Sequence, residues 1–234
     1  MNMDLSIIIP CLNEEENLDI LVKRTNDSLN KNNIDTEIIL VDDGSTDGSQ
    51  DVMQRLRDRY SNLIILRHEK TKGISEAWKT GLKQCKSKYV FTTDADLQYL
   101  PEDIPLLYSE ILNGYDIVQG WREQVLDGYR LRRIQSLAFS SVLNLVFSIN
   151  LKDAKSGFVV YKKEVFEDIL NHKFNYNYFH QLITVAAKSK NYTIKQLPVK
   201  FFKRNAGESF LGHLPLRFII NTLPDLVKAM FEYK

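Results

Sequence analysis

The segment Thr93-Asp94-Ala95-Asp96-Leu97-Gln98 sets two carboxylates and a side-chain amide within a few residues of one another. It follows Lys88-Tyr89-Val90-Phe91-Thr92, an apolar run that reads as a buried strand, so the acids fall where that strand runs out. Ligands of open α/β sheets bind in the crevice at the carboxyl ends of strands. Two aspartates one residue apart, with an amide oxygen two further on, suit a divalent cation that also takes diphosphate oxygens. Mg²⁺ is commonly held this way, by one or two carboxylates, substrate phosphates and water. The competing reading is a surface turn whose aspartates only cap the next helix, and a bare Asp-x-Asp does not decide between the two.

The flanking elements must position those groups. Leu5 to Pro10 is a short apolar run followed by the polar turn Cys11-Leu12-Asn13-Glu14. Leu18, Leu21, Val22, Thr25 and Leu29 recur at helical spacing within 14–29. Glu37 to Val41 reads as the next buried strand and ends at Asp42-Asp43-Gly44-Ser45. Thr46 and Asp47 offer caps for a helix through Val52, Leu56 and Tyr60. Leu63 to Leu66 is a third strand, 73–85 a third helix, and 89–93 a fourth strand. Pro101 to Leu112 is expected to be helical with Pro101 in its first turn, and Tyr115 to Gln119 to be a fifth strand. Further on the pattern predicts a long helix over 132–150, a strand over 157–161, a helix over 178–190 and a strand over 193–202. Strands alternating with helices of this length give α/β architecture: a Rossmann-like, mostly parallel sheet covered on both faces.

Bulk composition narrows the function. A chain of 234 residues with 44% hydrophobic and 26% charged residues can bury a sizeable core. A net charge of +1 gives no field suited to nucleic acid. Cys11 and Cys85 lie far apart without metal-type spacing, so reduced thiols are expected. Met1 to Ile9 lacks the features of a signal peptide, and no run of 18 uncharged apolar residues occurs. A cytoplasmic location is expected, with peripheral contact on the cytoplasmic membrane face left open.

Four segments together resemble glycosyltransferase family 2, most closely its dolichol-phosphate mannosyltransferase-like branch. They are Ile7-Ile8-Ile9-Pro10-Cys11-Leu12-Asn13-Glu14, Ile39 to Gly48 with Asp42-Asp43-Gly44-Ser45, Asp94-Ala95-Asp96-Leu97-Gln98, and Asp153 to Phe158 with Ser156-Gly157-Phe158. The likeness continues more loosely to Arg204-Asn205-Ala206-Gly207-Glu208-Ser209. It implies a GT-A fold, a nucleotide-sugar donor, Mg²⁺ or Mn²⁺, and transfer with inversion.

On that resemblance Pro10, Leu12, Glu14, Val41 and Asp43 face the nucleoside of the donor, with Asp42 and Asp43 as acceptors for base and ribose. Asp94 reaches the ribose or the metal shell, Ala95 belongs to the donor-binding set, and Asp96 and Gln98 are the metal ligands. Arg122 resembles the family arginine near diphosphate or acceptor, where a planar fork holds phosphate oxygens bidentately. Arg204 lies in a loop that could close over the donor. The family loop often ends in a basic residue where this chain has Phe210, and Gln181 and Gln196 stand where related chains carry acids. Arg132 and Arg133 are either acceptor contacts or a solvated helix face; His180 is either an acid/base group or a packing residue.

The resemblance divides the chain at 1–122 (donor half), 123–211 (acceptor half) and 212–234 (amphipathic helical tail). In the tail Leu214, Phe218, Ile219, Leu223, Leu226, Val227 and Met230 recur at near-helical spacing. Such a helix lies either in a membrane interface or against the domain, a second copy or a membrane subunit, and Pro215 and Pro224 suggest a break in it. The expected activity is transfer of a hexose from GDP-mannose or a UDP-hexose to a polyprenyl or dolichyl phosphate. Transfer to a saccharide hydroxyl in envelope polysaccharide assembly is the alternative, and a nucleotide-sugar-binding subunit is the non-enzymatic one.

Overall fold

The computed structural model describes residues 3–125, 130–206 and 215–234. Within them, β1 (Leu5–Cys11), β2 (Thr36–Asp42), β3 (Leu63–Arg67), β4 (Tyr89–Thr92), β5 (Ile117–Val125), β6 (Val159–Lys162) and β7 (Ile194–Phe201) form one sheet. Its order is β3-β2-β1-β4-β6-β5-β7. The pairs β1–β2, β1–β4, β2–β3 and β5–β7 are parallel, whereas β6 runs antiparallel to β4 and β5.

The strand sequences explain the layering. Successive residues of a strand point to opposite faces, and β1 and β2 are apolar at nearly every position because both faces are covered. Ile7, Ile9, Ile38 and Leu40 enter one core, and Ile8, Ile39 and Val41 the other. The first core is closed by α1 (Glu15–Lys31), α2 (Ser49–Arg59) and α4 (Ile104–Ile111) through Leu18, Leu21, Val52, Leu56 and Leu107. The second is closed by α3 (Ile74–Leu82), α6 (Lys163–Leu170) and α7 (Ile183–Ser189) through Trp78, Phe166 and Val185. Gly81 lets α3 lie close to the sheet, since a Cβ there would stand 2.7 Å from the Ile8 Cγ2 methyl.

Two topological facts position the site. The chain leaves β1 towards β2 on one side and returns to β4 on the other, which opens a crevice at the carboxyl ends of β1 and β4. Because β6 is antiparallel, its N-terminal lead-in meets the same edge: Val159 pairs with Thr92 and with Gln119. The ends of β1, β2, β4 and β7, the residues around 120 in β5 and the start of β6 therefore share one rim.

Several expected elements differ. The fifth strand runs on to Val125, placing Arg122 within it, because β7 offers paired backbone as far as Phe201, across a register shift between Arg122 and Gln124. The expected helix over 178–190 divides into a 3₁₀ turn at Phe179–Gln181 and α7. That over 101–112 likewise opens with a 3₁₀ turn at Pro101–Asp103.

The long helix of the second half is α5 (Arg130–Phe147), and the tail helix is α8 (Pro215–Tyr233), which contains Pro224. The tail's apolar stripe splits. Leu226 packs against the domain core, while Leu223, Val227 and Met230 face outward beside Phe231, which is 82% exposed. Helix α8 is also anchored by polar contacts, with Asp225 accepting from the Tyr178 amide at 2.7 Å and Glu232 from the Lys173 amide at 2.6 Å. Phe210, Gly207, Glu208, Ser209 and Leu214 lie outside the described residues, as do the side chains of Arg132, Arg133, Phe218 and Ile219.

Candidate active site

The wall formed by β1 and β2 is built from turn chemistry. The Asp43 amide donates to the Cys11 carbonyl at 2.8 Å, tying the two strand ends together. Gly44, at φ +87°, lets the turn press on the 70–71 backbone, where a Cβ would stand 2.9 Å from the Thr71 nitrogen. Asp43 accepts from the Lys72 amide at 2.9 Å, the Gly73 amide at 2.8 Å and His68 Nδ1 at 2.6 Å. Asp42 does not face a ligand: it is fully buried, and its Oδ1 accepts from the Ser45 amide at 2.8 Å. Val41 and Ala95 are buried side chains that can offer only backbone to a donor, whereas Pro10 and Leu12 are partly exposed at the rim. Asp47, just before Gly48 at the N-cap of α2, accepts from the Ser49 amide at 3.0 Å and from the Glu15 amide that opens α1 at 3.3 Å.

At the end of β4 the backbone turns sharply. Leu97 adopts φ +59°, the left-handed region that a non-glycine residue enters at a cost. The turn is held by the Gln98 amide donating to Asp96 Oδ1 at 3.1 Å. The Gln98 side chain donates through Nε2 to the Phe202 carbonyl at 3.0 Å, leaving Oε1 as the atom with which it would ligate a cation. Gly157 abuts Asp94, since a Cβ there would lie 3.7 Å from its carboxylate oxygens. Asp94 is exposed at the rim, with its carboxyl carbon set close among protein atoms. Burial first, then the neighbouring Asp96, pushes its carboxyl above the usual range. Burial likewise raises Asp96 and Glu14, against the opposing pull of Arg204 on both.

Arg204 follows β7 and reaches back across this edge. Its Nη1 lies 3.0 Å from Glu14 Oε1 and its Nη2 3.3 Å from Asp96 Oδ2. Asn17, one helical turn beyond Glu14, donates to Glu14 Oε2 at 2.6 Å and to the Ala206 carbonyl at 3.3 Å, and accepts from Asn205 at 3.1 Å. The β7 exit is thus laid over the donor edge by named contacts, and the guanidinium lies between two carboxylates.

Arg122 is built differently. Its Nε lies 2.6 Å and its Nη2 2.9 Å from the two Asp153 oxygens, a bidentate pair, and its charge sits 5.3 Å from the Phe201 ring centre. Burial alone would raise the Asp153 carboxyl, but Arg122's charge and hydrogen bonds outweigh it and hold Asp153 below its ordinary value. Lys155 stands beside this pair. Burial, then the Arg122 charge, lowers its ammonium to about 8. Burial, and secondarily Lys155, lowers His180 to about 4, so its imidazole is neutral at neutral pH.

The sequence-expected residues Glu14, Asp94, Asp96, Gln98, Arg122 and Arg204 therefore meet at one rim. Three other contributors had no role assigned from sequence: Asn17, Asp153 and His68. Asp153 lay inside a quoted motif without an assigned partner, because nothing local reveals an ion pair across 31 residues. For His68 no local signal existed.

The donor set suits a divalent cation: the buried Glu14 and Asp96 carboxylates and the exposed Asp94 carboxylate lie close together, and added positive charge lowers their mutual repulsion. Among the described residues, however, no group of three His, Cys, Asp or Glu side chains forms a metal cage by itself. The protein's part is therefore a partial shell, the form expected where substrate phosphates and water complete it.

Comparisons with known proteins agree with this geometry. The model of the family "Glycosyl transferase family 2" matches residues 6–170. A dolichol-phosphate mannosyltransferase of Pyrococcus furiosus is 34% identical over 215 residues, covering 89% of this chain and 59% of that protein. An undecaprenyl-phosphate 4-deoxy-4-formamido-L-arabinose transferase of Pseudomonas fluorescens is 30% identical, covering 97% of this chain and 64% of that protein. The chain thus spans about three fifths of the length of these relatives.

Among solved structures, a mannosyltransferase from Pyrobaculum calidifontis in complex with GDP-Man and Mn²⁺ superposes with a TM-score of 0.71 at 16% identity, covering 100% of this chain and 66% of that one. Glucosyl-3-phosphoglycerate synthase from Mycobacterium tuberculosis, in complex with Mn²⁺, UDP and phosphoglyceric acid, gives a TM-score of 0.71 at 18% identity, covering 98% and 78%. With the family model spanning most of the chain and a mostly parallel sheet that superposes on these structures, this protein belongs to glycosyl transferase family 2 and has the GT-A fold.

Proposed function

We propose that this chain is a metal-dependent, inverting glycosyltransferase that moves a sugar from a nucleoside-diphosphate donor to a polyprenyl-phosphate lipid. The observation that carries this reading is the rim itself, where Glu14 and Asp96 share Arg204 with Asp94 beside them, while Arg122 is held by Asp153. Residues 1–122 supply the donor half, 123–211 the acceptor half, and 212–234 the helical tail.

Asp96, with Gln98 Oε1 and Asp94, would hold Mg²⁺ or Mn²⁺. Bound there, the ion supplies Lewis-acid neutralisation of the leaving diphosphate. Arg204 contributes fixed positive charge at the same edge. Arg122, kept in one orientation by Asp153, sets a second fixed guanidinium where anionic oxygens would pass. Asp43 and the turn from Pro10 to Glu14 hold the nucleoside.

The nucleophile decides whether a base is needed. A hydroxyl acceptor requires a proton acceptor within reach. His180, lowered to about 4, is a weak one at neutral pH. A phosphate monoester, whose second pKa is about 6, is already ionised and attacks without a base. A lipid phosphate thus needs no base at the site, in line with the names of the relatives.

The outer surface supports a lipid-borne acceptor. No helix among the described residues is long and apolar enough to cross a membrane. Leu223, Val227, Met230 and Phe231 of α8 nevertheless expose an apolar stripe at i, i+4, i+7 and i+8, and Val142 and Leu145 are exposed on the adjacent α5. Such a surface suits the interface of the cytoplasmic membrane face.

The test is sugar transfer from radiolabelled UDP- or GDP-sugars to polyprenyl phosphate with Mn²⁺ present. Label should enter the organic phase with wild-type protein and not with Asp96→Asn. Equal transfer by Asp96→Asn would remove the metal-site assignment, and transfer only to oligosaccharides would replace the acceptor.

A further inference from the structure

The base-reading end of the donor site is more constrained than the glycosyltransferase reading requires. A carboxylate accepts at about four lone-pair positions. For Asp43, His68 Nδ1 at 2.6 Å and the Lys72 amide at 2.9 Å fill Oδ1, and the Gly73 amide at 2.8 Å takes one position on Oδ2. Among the described residues no fourth donor meets it, so a single acceptor position remains, on Oδ2.

The direction of that position is fixed from behind. His68 is 3% exposed, and its own amide donates to the Asp42 carbonyl at 2.8 Å, continuing the line of β3. Its Nδ1 faces a carboxylate, which places a proton on Nδ1. Its Nε2 lies 2.9 Å from Thr80 Oγ1 on α3. The Lys72 and Gly73 amides belong to the turn that opens α3, where Gly73 adopts φ +93°. Asp43 is therefore gripped by β3, by the α3 turn and, through His68, by the body of α3.

We infer that His68 is a positioning residue that leaves Asp43 one acceptor for the donor's base, so that the site selects a base with one imino N–H, uracil or thymine, over guanine. The inference rests on the donor-site reading above. Guanine presents N1–H and N2–H side by side and is met by a carboxylate with both oxygens open. Here one of those donors would be buried unpaired, which costs a factor of about ten or more in affinity. Cytosine and adenine present a ring-nitrogen lone pair where uracil presents N3–H, and meet that position only through an exocyclic amino hydrogen. Uracil offers one imino N–H to the one position left.

The experiment is titration calorimetry of UDP and GDP in Mn²⁺ on wild type, His68→Ala and His68→Asn, with thermal melts of each variant. Wild type should bind UDP about tenfold or more tighter than GDP. His68→Ala reopens a position on Oδ1 and frees the carboxylate to turn, so the UDP-to-GDP ratio should fall towards one. His68→Asn retains an N–H near the position of Nδ1 and should restore much of the ratio; it also serves if the alanine variant does not fold. GDP binding as tightly as UDP to wild type, or a ratio unchanged in both folded variants, would overturn the inference while leaving a nucleotide-binding site. Binding of neither nucleotide would remove the donor-site reading itself, and the inference with it.

Discussion

Replacing Asp153 by asparagine should show how Arg122 is held. The pair is bidentate at 2.6 and 2.9 Å, with Asp153 9% and Arg122 21% exposed, so water screens it only partly. The substituted amide keeps the shape but supplies at most one acceptor to Arg122 and no charge. Breaking one side of a buried pair costs about 3–5 kcal/mol, because the other charge stays behind without its counter-charge. Discounted for Arg122's partial exposure, about 2–4 kcal/mol is expected.

The pH dependence has a definite sign. The Asp153 carboxyl lies below its ordinary value in the fold, so its contribution is present above the unfolded pKa of about 3.9 and is lost as pH falls through the folded value. Urea unfolding at pH 7 and pH 3 of wild type, Asp153→Asn, Arg122→Gln and the double variant forms a cycle. The two single losses should exceed the double loss by at least about 1 kcal/mol, the range seen for coupled neighbours. Because Asp153 acts through Arg122, kcat should fall in Asp153→Asn while UDP affinity changes little. Strict additivity, with wild-type kcat in Asp153→Asn, would refute the argument.

Three further outcomes concern Arg204, Lys155 and the tail helix. Arg204→Ala should lower kcat and kcat/KM together, leave binding of the free nucleotide nearly unchanged, and make the fold more dependent on Mn²⁺, because Glu14 and Asp96 lose their shared cation. A rise in KM alone would exclude it. For Lys155, lowered to about 8, the unfolded chain binds more protons between about pH 8 and 10.4. Wild type should therefore gain roughly 1–3 kcal/mol relative to Lys155→Met across that interval in pH-dependent unfolding, and parallel curves would contradict the buried-ammonium account. Binding to anionic liposomes should weaken with salt without vanishing, and Leu223→Ser with Phe231→Ser should abolish most of the salt-resistant part. Unchanged binding by that double variant would move the contact elsewhere.

How far the sequence foretold this site depended on the range of the interaction. Strand-end residues were legible because an apolar run followed by acids announces both the strand and the edge, as at Phe91 to Asp96. The α/β alternation was legible for the same reason, since Ile7 to Ile9 and Ile38 to Val41 read as buried runs. Partnerships were not. Arg122 and Asp153 are 31 residues apart, and Arg204 and Glu14 are 190 apart, so only the antiparallel entry of β6 and the return of the chain after β7, where the Phe202 and Asn205 amides donate to the Gln98 and Asp96 carbonyls, bring them together. The tail was legible as a helix and no further, because helical periodicity marks an apolar face without saying what covers it; Leu226 turned inward and Leu223 outward.

The chemical structure of the product tests the central claim most directly. Incubation with an α-linked nucleotide sugar, Mn²⁺ and a polyprenyl phosphate, followed by mass spectrometry and NMR of the organic extract, reports the acceptor and the anomeric configuration at once. The account predicts a polyprenyl-phosphate monosaccharide with β configuration, formed by direct attack of the lipid phosphate. An α-linked product, a glycosylated saccharide with no lipid product, or free sugar alone would contradict it.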